Sequence, residues 1–297
     1  MIENNDKKIV EKVNIQWYPG HMTKALRMME DTIKQVDMVI EIRDARAIVS
    51  SQNPVVKQLR HNKPTMIIVS KKDKVSSIDL AKWEKHFTDN DIIGVFLDLN
   101  NDKYKNVIVN LIKKAMEPIH QKQLKRGIRP RATRAMVVGI PNVGKSTFIN
   151  QMRQKKVLRV ADTPGVTRTL SFINVSKELE LVDTPGMLWP KFESVELSYH
   201  LALIGSISEN VLPLEILSEY AFNYLKNNYK VQFMEYTNDI ADFKQYIEKT
   251  ARDRGFYQGS NLDITKAHLS FIRDIRDSKI KVCWERYDDW VWIRVLE

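Results

Sequence analysis

Short apolar runs alternate with amphipathic segments along the first half of the chain. Four of the runs have the length of buried strands, and they cover residues 38–42, 65–69, 92–97 and 135–139. The segments with apolar residues at helical spacing cover residues 22–35, 53–61, 79–87, 104–116 and 146–152. Because strands that alternate with helices usually belong to one parallel sheet, the pattern predicts an α/β fold with helices on both faces of a mostly parallel sheet.

The second half of the chain has a different pattern. Residues 170–175 and 179–183 are short apolar runs, and they predict an antiparallel hairpin at one edge of the sheet. Residues 196–207 predict one connecting helix. Further helices are predicted at residues 214–229, 240–254 and 265–277. We therefore expect an α/β domain at residues 1–211 and a small helical domain at residues 212–297.

Residues 139–147 read GIPNVGKST and match the phosphate-binding loop pattern G-x-x-x-x-G-K-[ST]. The loop follows a predicted strand and precedes a predicted helix, as this motif requires. Its backbone amides face a polyphosphate, Lys145 reaches the outer phosphates, and the Ser146 hydroxyl binds Mg²⁺. The residues expected to contact a nucleoside triphosphate here are Asn142, Val143, Gly144, Lys145, Ser146 and Thr147.

A second phosphate motif ends the predicted strand at residues 179–183. The sequence DTPG covers residues 183–186 and places an acidic side chain at the tip of that strand. Asp183 is therefore expected to provide a second Mg²⁺ contact, and the amide of Gly186 is expected to meet the γ-phosphate.

The base is indicated by residues 70–73, which read SKKD and follow the predicted strand at residues 65–69. This sequence differs by one residue from the N-K-x-D element with which GTPases recognise guanine. Asp73 is expected to accept hydrogen bonds from the two N–H donors on the guanine edge, which adenine does not offer, and Ser70 and Lys71 complete the motif. Because a hydroxyl is shorter than an amide, we do not expect Ser70 to bridge the base and the phosphate loop as asparagine does.

The guanine motif precedes the phosphate loop by about seventy residues, which reverses the order found in Ras-like proteins. This order predicts a circularly permuted Ras-like P-loop GTPase domain. Together with WYPGHM at residues 17–22, RDAR at 43–46 and SQNP at 51–54, it resembles the ribosome biogenesis GTPase A family. The resemblance extends from about residue 14 to residue 290. It implies a GTPase that turns GTP into GDP during maturation of the bacterial large ribosomal subunit, in contact with the precursor particle, ribosomal RNA and ribosomal proteins.

Hydrolysis requires further groups between the phosphate loop and the DTPG motif. A loop there must provide a hydroxyl to Mg²⁺, and the family pattern Pro-Gly-x-Thr implies Thr167, with Thr163 and Thr169 as alternatives. The residue after DTPG is Met187, where Ras-like enzymes have a glutamine that orients the attacking water. Since a thioether cannot take that role, the catalytic group must come from elsewhere.

The resemblance implies His21 for this role, because it is the histidine of the family's Tyr-Pro-Gly-His-Met motif. A neutral imidazole can accept a proton from water near pH 7. The alternative is a histidine that faces solvent at the start of a helix. In related GTPases an asparagine in the position of Asn142 helps to hold K⁺ beside the phosphates. The alternative for Asn142 is a loop residue that tolerates unusual backbone angles.

Positive charge is concentrated in one segment. The chain has a formal net charge of +10, and residues 113–134 alone hold eight Lys or Arg and one Glu. The basic connection at residues 117–134 lies within this segment. It is expected to contact the phosphate backbone of RNA, although a solvated linker would have the same composition. Lys155, Lys156 and Arg159 extend the segment in sequence.

The composition also bounds the environment of the protein. No apolar run has the length needed to span a bilayer, and Cys283 is the single cysteine, which excludes an internal disulfide. We expect a cytoplasmic monomer that does not bind membranes. Two other functions remain open on these residues: an RNA-binding scaffold with a degenerate nucleotide site, and another permuted GTPase or an ATPase.

Overall fold

One mixed sheet of six strands has the order β3-β2-β1-β4-β6-β5. The computed structural model describes residues 19–153, 172–189, 192 and 194–285, and it describes only the backbone of residues 19–23 and 210. The strands are Met38–Asp44 (β1), Thr65–Ser70 (β2), Gly94–Leu97 (β3), Thr133–Val138 (β4), Phe172–Ser176 (β5) and Leu179–Asp183 (β6). All neighbouring pairs are parallel except β5 with β6. The predicted parallel sheet with an antiparallel edge hairpin is confirmed.

The carboxyl ends of the parallel strands meet at one edge of the sheet. Asp44 at the end of β1 is paired with Ser70 at the end of β2, and Asp183 at the end of β6 is paired with Val137 in β4. Every residue of β1 is buried, as expected for a central strand covered on both faces. This edge therefore brings together the phosphate loop, the guanine motif and the acidic tip of β6, where ligands bind in open α/β sheets.

The helices of the α/β part begin and end close to their predicted limits, with two exceptions. They are Pro19–Ile33 (α1), Pro54–Leu59 (α2), Ser77–Asp89 (α3), Lys105–Lys125 (α4), Lys145–Arg153 (α5) and Val195–Leu203 (α6). Short 3-10 turns occur at Lys72–Lys74 and Glu209–Val211. The two exceptions are α4, which is longer than predicted, and α6, which is shorter.

Helix α4 continues nine residues beyond the predicted end at residue 116, so the connection predicted at residues 117–134 is helical as far as Lys125. Apolar periodicity reports only residues that face the core, and Met116 is the last buried residue of α4. The exposed continuation lacks that signal. Helix α6 ends at Leu203 rather than continuing to residue 207, because Gly205 has a φ of +79° and turns the chain.

Three of the helices beyond residue 211 were predicted, and they are Leu214–Asn228 (α7), Phe243–Asp253 (α9) and Ile264–Arg276 (α10). The sequence did not predict the helix Lys230–Thr237 (α8) or the short hairpin of Tyr257–Gln258 (β7) and Asn261–Leu262 (β8). Helix α8 buries only Phe233 and Thr237, so its apolar face is too narrow to give a periodic signal. No helix in the described part of the chain is long and apolar enough to cross a membrane.

The residues after α10 return to the α/β part. Cys283 is buried in a cluster with Ala45, Ile48 and Trp83, and burial raises the pKa of its thiol. The backbone N–H of Trp284 donates to the Arg46 carbonyl at 2.7 Å. One hydrophobic cluster also continues from the sheet through α6 into α7 and α10. The boundary proposed at residues 211 and 212 thus lies within a shared core.

Candidate nucleotide site

The phosphate loop connects β4 to α5 and is anchored at its centre by the buried side chain of Val143. Asn142 has a φ of 62°, a left-handed conformation that asparagine tolerates better than most residues. Its side-chain Nδ2 donates to the Gly205 carbonyl at 2.8 Å, and the Ser206 hydroxyl donates to the Pro141 carbonyl at 2.9 Å. The first half of the loop is therefore held by the turn that follows α6.

Lys145 is almost completely buried inside the loop, and its Nζ donates to the Ile140 carbonyl at 2.7 Å. Burial lowers the pKa of Lys145 to about 8, although the nearby Asp183 carboxylate favours the charged form. Gly186 lies directly against this ammonium group, since a Cβ at position 186 would be 2.8 Å from Lys145 Nζ and 3.1 Å from Pro141 Cα. Any side chain at position 186 would therefore collide with the loop.

Asp183 is buried at the end of β6. Burial raises the pKa of Asp183 to about 6, although Lys145, the Thr184 N–H and the Ser146 hydroxyl all favour the charged form. Its Oδ1 is buried and has no hydrogen-bond partner among the described residues. A buried carboxylate oxygen without a partner, beside a serine hydroxyl, is the kind of oxygen donor set that Mg²⁺ prefers. Ser146 and Asp183 thus fit a magnesium site.

Ser70 is completely buried, and its hydroxyl lies 2.7 Å from the Val143 carbonyl and 3.0 Å from the Arg43 carbonyl. The shorter side chain therefore does reach the phosphate loop, because β2 and the loop are closer than the sequence suggests. Its burial leaves contact with a base to the next residues of the motif.

Lys71 and Asp73 follow Ser70 at the same edge. Lys71 Nζ donates to the Asn142 carbonyl at 2.7 Å, so the guanine motif is attached to the phosphate loop at a second point. Asp73 lies in a 3-10 turn and is exposed, as an acceptor for a base must be. In the loop that follows β3, the Asp98 carboxylate accepts from Asn100 N at 2.9 Å and from Asn101 Nδ2 at 2.6 Å.

Met187 takes no part in the site. Its side chain is buried against α1 and the sheet, in a cluster that includes Met29 and Val138. Its carbonyl accepts from Asn53 Nδ2 at 2.8 Å, which fixes the chain as it leaves the DTPG motif. Of the two other groups expected for hydrolysis, Thr167 lies outside the described residues. His21 lies in the first turn of α1, and its side chain is outside the described part.

Gly205 and Ser206 are the contact residues that sequence reasoning missed. They are more than sixty residues from the phosphate loop in sequence and belong to no phosphate or guanine motif. The only signal available was the small-residue sequence GSIS at 205–208, which indicates a turn but not its partner.

Comparison with known proteins gives the family. A family model described as a 50S ribosome-binding GTPase matches residues 134–249, which begin at the strand before the phosphate loop. Ribosome biogenesis GTPase A of Bacillus pumilus is 34% identical over 271 residues, covering 90% of this chain and 96% of the relative. The protein of the same name in Priestia megaterium is 37% identical over 273 residues, with 90% and 95% coverage. The chain belongs to the ribosome biogenesis GTPase A family.

A solved structure with the same fold agrees with this assignment. YlqF from T. maritima, in a GNP-bound crystal structure, has 25% sequence identity and a TM-score of 0.66, covering 89% of this chain and 98% of that chain. The predicted class, a circularly permuted GTPase, is confirmed. The guanine motif at residues 70–73 lies before the family-model match, as the permuted order requires. As a member of this family the chain is a GTPase, and not an ATPase.

Proposed function

We propose that this protein is a GTP-driven switch that acts in assembly of the large ribosomal subunit. The observation that carries the proposal is the joining of two sites at one sheet edge. A phosphate site is formed by Lys145, Asp183 and Gly186, and it is bonded through Ser70 and Lys71 to a turn that exposes Asp73. The ribosome-related names of the bacterial relatives support the assembly role.

Each residue of the site is assigned to a different part of the GTP molecule. The amides of residues 142–147 face the phosphates, and Lys145 neutralises their charge where water is excluded. The Gly186 amide meets the γ-phosphate, because position 186 lies beside the Lys145 ammonium group that reaches the same phosphate. Ser146, Asp183 and Thr167 would hold Mg²⁺, which stabilises charge on the phosphate oxygens. Asp73 selects guanine.

Two tests address this proposal as a whole. GTP hydrolysis is measured with and without large-subunit particles, and particle binding is compared between a non-hydrolysable GTP analogue and GDP. We expect stimulated hydrolysis and tighter binding with the analogue. Unstimulated hydrolysis together with equal particle affinity in the two nucleotide states would rule out the switch. Slow hydrolysis that particles do not change would instead favour the RNA-binding scaffold.

His21 is our candidate for positioning the attacking water, since Met187 is buried in the core. We expect His21→Ala to bind GTP within about twofold of the unaltered protein and to lower particle-stimulated hydrolysis on the order of tenfold or more. Single-turnover hydrolysis of GTP on large-subunit particles measures the effect. The matched control is His61→Asn, because His61 has a φ of 48° that asparagine tolerates. Equal rates for His21→Ala and the control would remove histidine from the mechanism.

We also propose that Asn142 holds K⁺ beside the phosphates. Hydrolysis should then be faster in K⁺ than in Na⁺ at equal ionic strength, on the order of tenfold. Asn142→Gly keeps the left-handed backbone and should remove this difference between the cations. Ser206→Ala is the control, because it removes the neighbouring bond to Pro141 and retains Asn142. A K⁺ effect that survives in Asn142→Gly would exclude Asn142 as the ligand.

RNA is the partner that the basic segment fits best. Three of its eight basic residues form ion pairs with acidic neighbours, and the pairs are Lys113–Glu178, Arg131–Asp37 and Arg134–Glu180. The other five are exposed on α4 and the loop after it, and they are Lys114, Lys122, Lys125, Arg126 and Arg129. We call these five residues the basic patch. None of the five forms an ion pair with an acidic side chain in the part of the chain that the structure describes, and exposed cations of this kind release counterions when they bind a phosphate backbone.

Changing the whole basic patch to glutamine is expected to weaken binding to large-subunit particles and to flatten its salt dependence. Each lost phosphate contact lowers the slope of log K against log salt concentration by about 0.7–0.9, so the slope should fall by about 3 or more. Nucleotide affinity should not change. Filter binding over a salt titration measures both quantities.

The control has five exposed lysines of the α/β part changed to glutamine, which alters the net charge by the same amount. These lysines are Lys24, Lys34, Lys57, Lys82 and Lys85. If the control weakens particle binding as much as the patch variant does, general charge rather than the basic patch is responsible. If the patch variant loses particle binding but still binds protein-free ribosomal RNA, the partner of the basic patch is an acidic protein.

A further inference from the structure

Asp44 ends β1 and is completely buried beside the guanine motif. Its Oδ1 accepts from the Arg46 backbone N–H at 3.0 Å and from Arg46 Nε at 2.9 Å. Its Oδ2 lies 2.8 Å from Arg46 Nη2 and 2.8 Å from Lys71 Nζ. Burial alone would raise the pKa of Asp44, but the two cations outweigh burial and hold that pKa well below its usual range. Asp44 is therefore an anion shared by Arg46 and Lys71.

Lys71 connects the Asp44 carboxylate to the nucleotide site. The same Nζ that contacts Asp44 donates to the Asn142 carbonyl, so two of its three N–H donors are already used. Lys71 also has a φ of 59°, an uncommon conformation for lysine. The Lys71 side chain is long and otherwise has several rotamers. The ion pair with Asp44 thus holds it in one position across the phosphate loop.

Arg46 connects the same carboxylate to the helical part. It is almost completely buried, and its Nη2 donates to the Ile204 carbonyl at 2.9 Å and its Nη1 to the Arg276 carbonyl at 3.4 Å. Arg276 in turn donates from its Nη2 to the Ala202 carbonyl at 2.6 Å. The turn after α6 and the end of α10 are therefore bonded to β1.

That turn is also the one that holds the phosphate loop, through Gly205 and Ser206. The contacts form a closed circuit from Asp44 through Lys71 to Asn142, from Asn142 to Gly205, and back from Ile204 through Arg46 to Asp44. The links of Asp44 and Arg46 are buried, the two hydrogen bonds of Asn142 are exposed, and Gly205 and Ile204 are joined by the chain itself. Arg276 is the residue of the helical part that contacts this circuit, so displacing the helical part would break its bonds with Arg46 Nη1 and with the Ala202 carbonyl.

We propose that Asp44 is a positioning residue for guanine-nucleotide binding, and that through Arg46 it makes nucleotide affinity depend on the docking of the helical part. The inference rests on the proposed assignment of Lys71 to the guanine motif. None of the circuit's contacts involves the γ-phosphate. Loss of Asp44 is therefore expected to weaken GTP and GDP binding equally.

A double-mutant cycle tests the first half. Asp44→Asn, Lys71→Gln and the double variant are compared with the unaltered full-length chain for dissociation constants of fluorescent GDP and GTP analogues. Each single change should raise both constants about tenfold, since each removes a hydrogen bond to a charged group. The dissociation constants of the double variant should be no higher than those of the single variant that binds nucleotide less tightly. Losses that multiply to about a hundredfold would show that Asp44 does not act through Lys71.

Arg46→Lys tests the second half, because lysine keeps a cation for Asp44 but lacks the fork that reaches Ile204 and Arg276. We expect GDP affinity to fall several-fold, and unchanged affinity would overturn the link to the helical part. Thermal unfolding without nucleotide identifies variants that do not fold. If Asp44→Asn fails to fold, Asp44→Glu replaces it in the cycle with Lys71→Gln, because glutamate keeps the charge but displaces the carboxylate from Lys71, and the same non-additive losses are expected.

The site assignment is tested separately by Asp73→Asn, which lies outside the circuit. A switch of base preference in Asp73→Asn, together with additive losses in the cycle, would reject the positioning role alone. Absence of that switch would reject the assignment of the guanine motif itself.

Discussion

Lys145→Ala is expected to abolish GTP turnover and to weaken nucleotide binding about a hundredfold or more, because a preorganised buried cation is lost from the phosphate loop. Lys145 is the buried cation of the phosphate loop, and Gly186 is pressed against its ammonium group. Its removal would leave the phosphates beside Asp183 without a compensating charge. Multiple-turnover hydrolysis and direct titration of a fluorescent GTP analogue measure the two effects.

The control for this change is Lys103→Ala, which removes an exposed lysine near the loop that begins at Asp98. It lowers the net charge by the same amount and should leave turnover within about twofold. Turnover in Lys145→Ala that is comparable to the control would mean that the phosphates bind elsewhere on the molecule.

Asp73→Asn is expected to change the preferred base from guanine to xanthine. In the proposed site the carboxylate of Asp73 would accept two N–H donors of guanine, and hydrogen bonds to a charged group are worth about 1.5–3 kcal/mol each. Their loss should lower GTP affinity about a hundredfold or more. The amide of asparagine donates to the extra carbonyl of xanthine, so XTP should bind the variant better than GTP. Competition between GTP, XTP and ATP for the bound fluorescent nucleotide gives all three affinities.

Asp102→Asn is the matched control. Asp102 lies on the same edge and forms an ion pair with Lys72 at 2.7 Å, but it is not part of the SKKD motif. This variant should retain a preference for GTP over XTP. A preference for GTP in Asp73→Asn as well would show that the base is recognised by a different residue.

The sequence predicted the fold because its two kinds of evidence agree locally. Apolar runs mark the buried strands, and the phosphate and guanine motifs need fixed spacing along the chain to work at all. The helical continuation of α4 beyond Met116 escaped prediction because its residues face solvent. Helix α8 escaped because only Phe233 and Thr237 are buried.

The contacts that join the motifs were not predictable in the same way. The bonds of Asn142 to Gly205 and of Arg46 to Ile204 connect residues far apart in sequence, and neither pair has a characteristic spacing. The contact of Ser70 with the phosphate loop was not predictable either. Its substitution for asparagine was visible in sequence, but its bond to Val143 depends on how closely β2 approaches the loop.

The packing of residues 283–285 against the segment after β1 has a consequence for how the protein folds during synthesis. Cys283 packs beside Ala45, and Glu285 accepts hydrogen bonds from the amides of Val49 and Ser50 at 2.6 Å each. Since synthesis proceeds from the amino terminus at about 5–20 residues per second, these partners are synthesised roughly 12–48 s after the segment that follows β1. A nascent chain therefore emerges with this part of its core open until residues 283–285 have been synthesised.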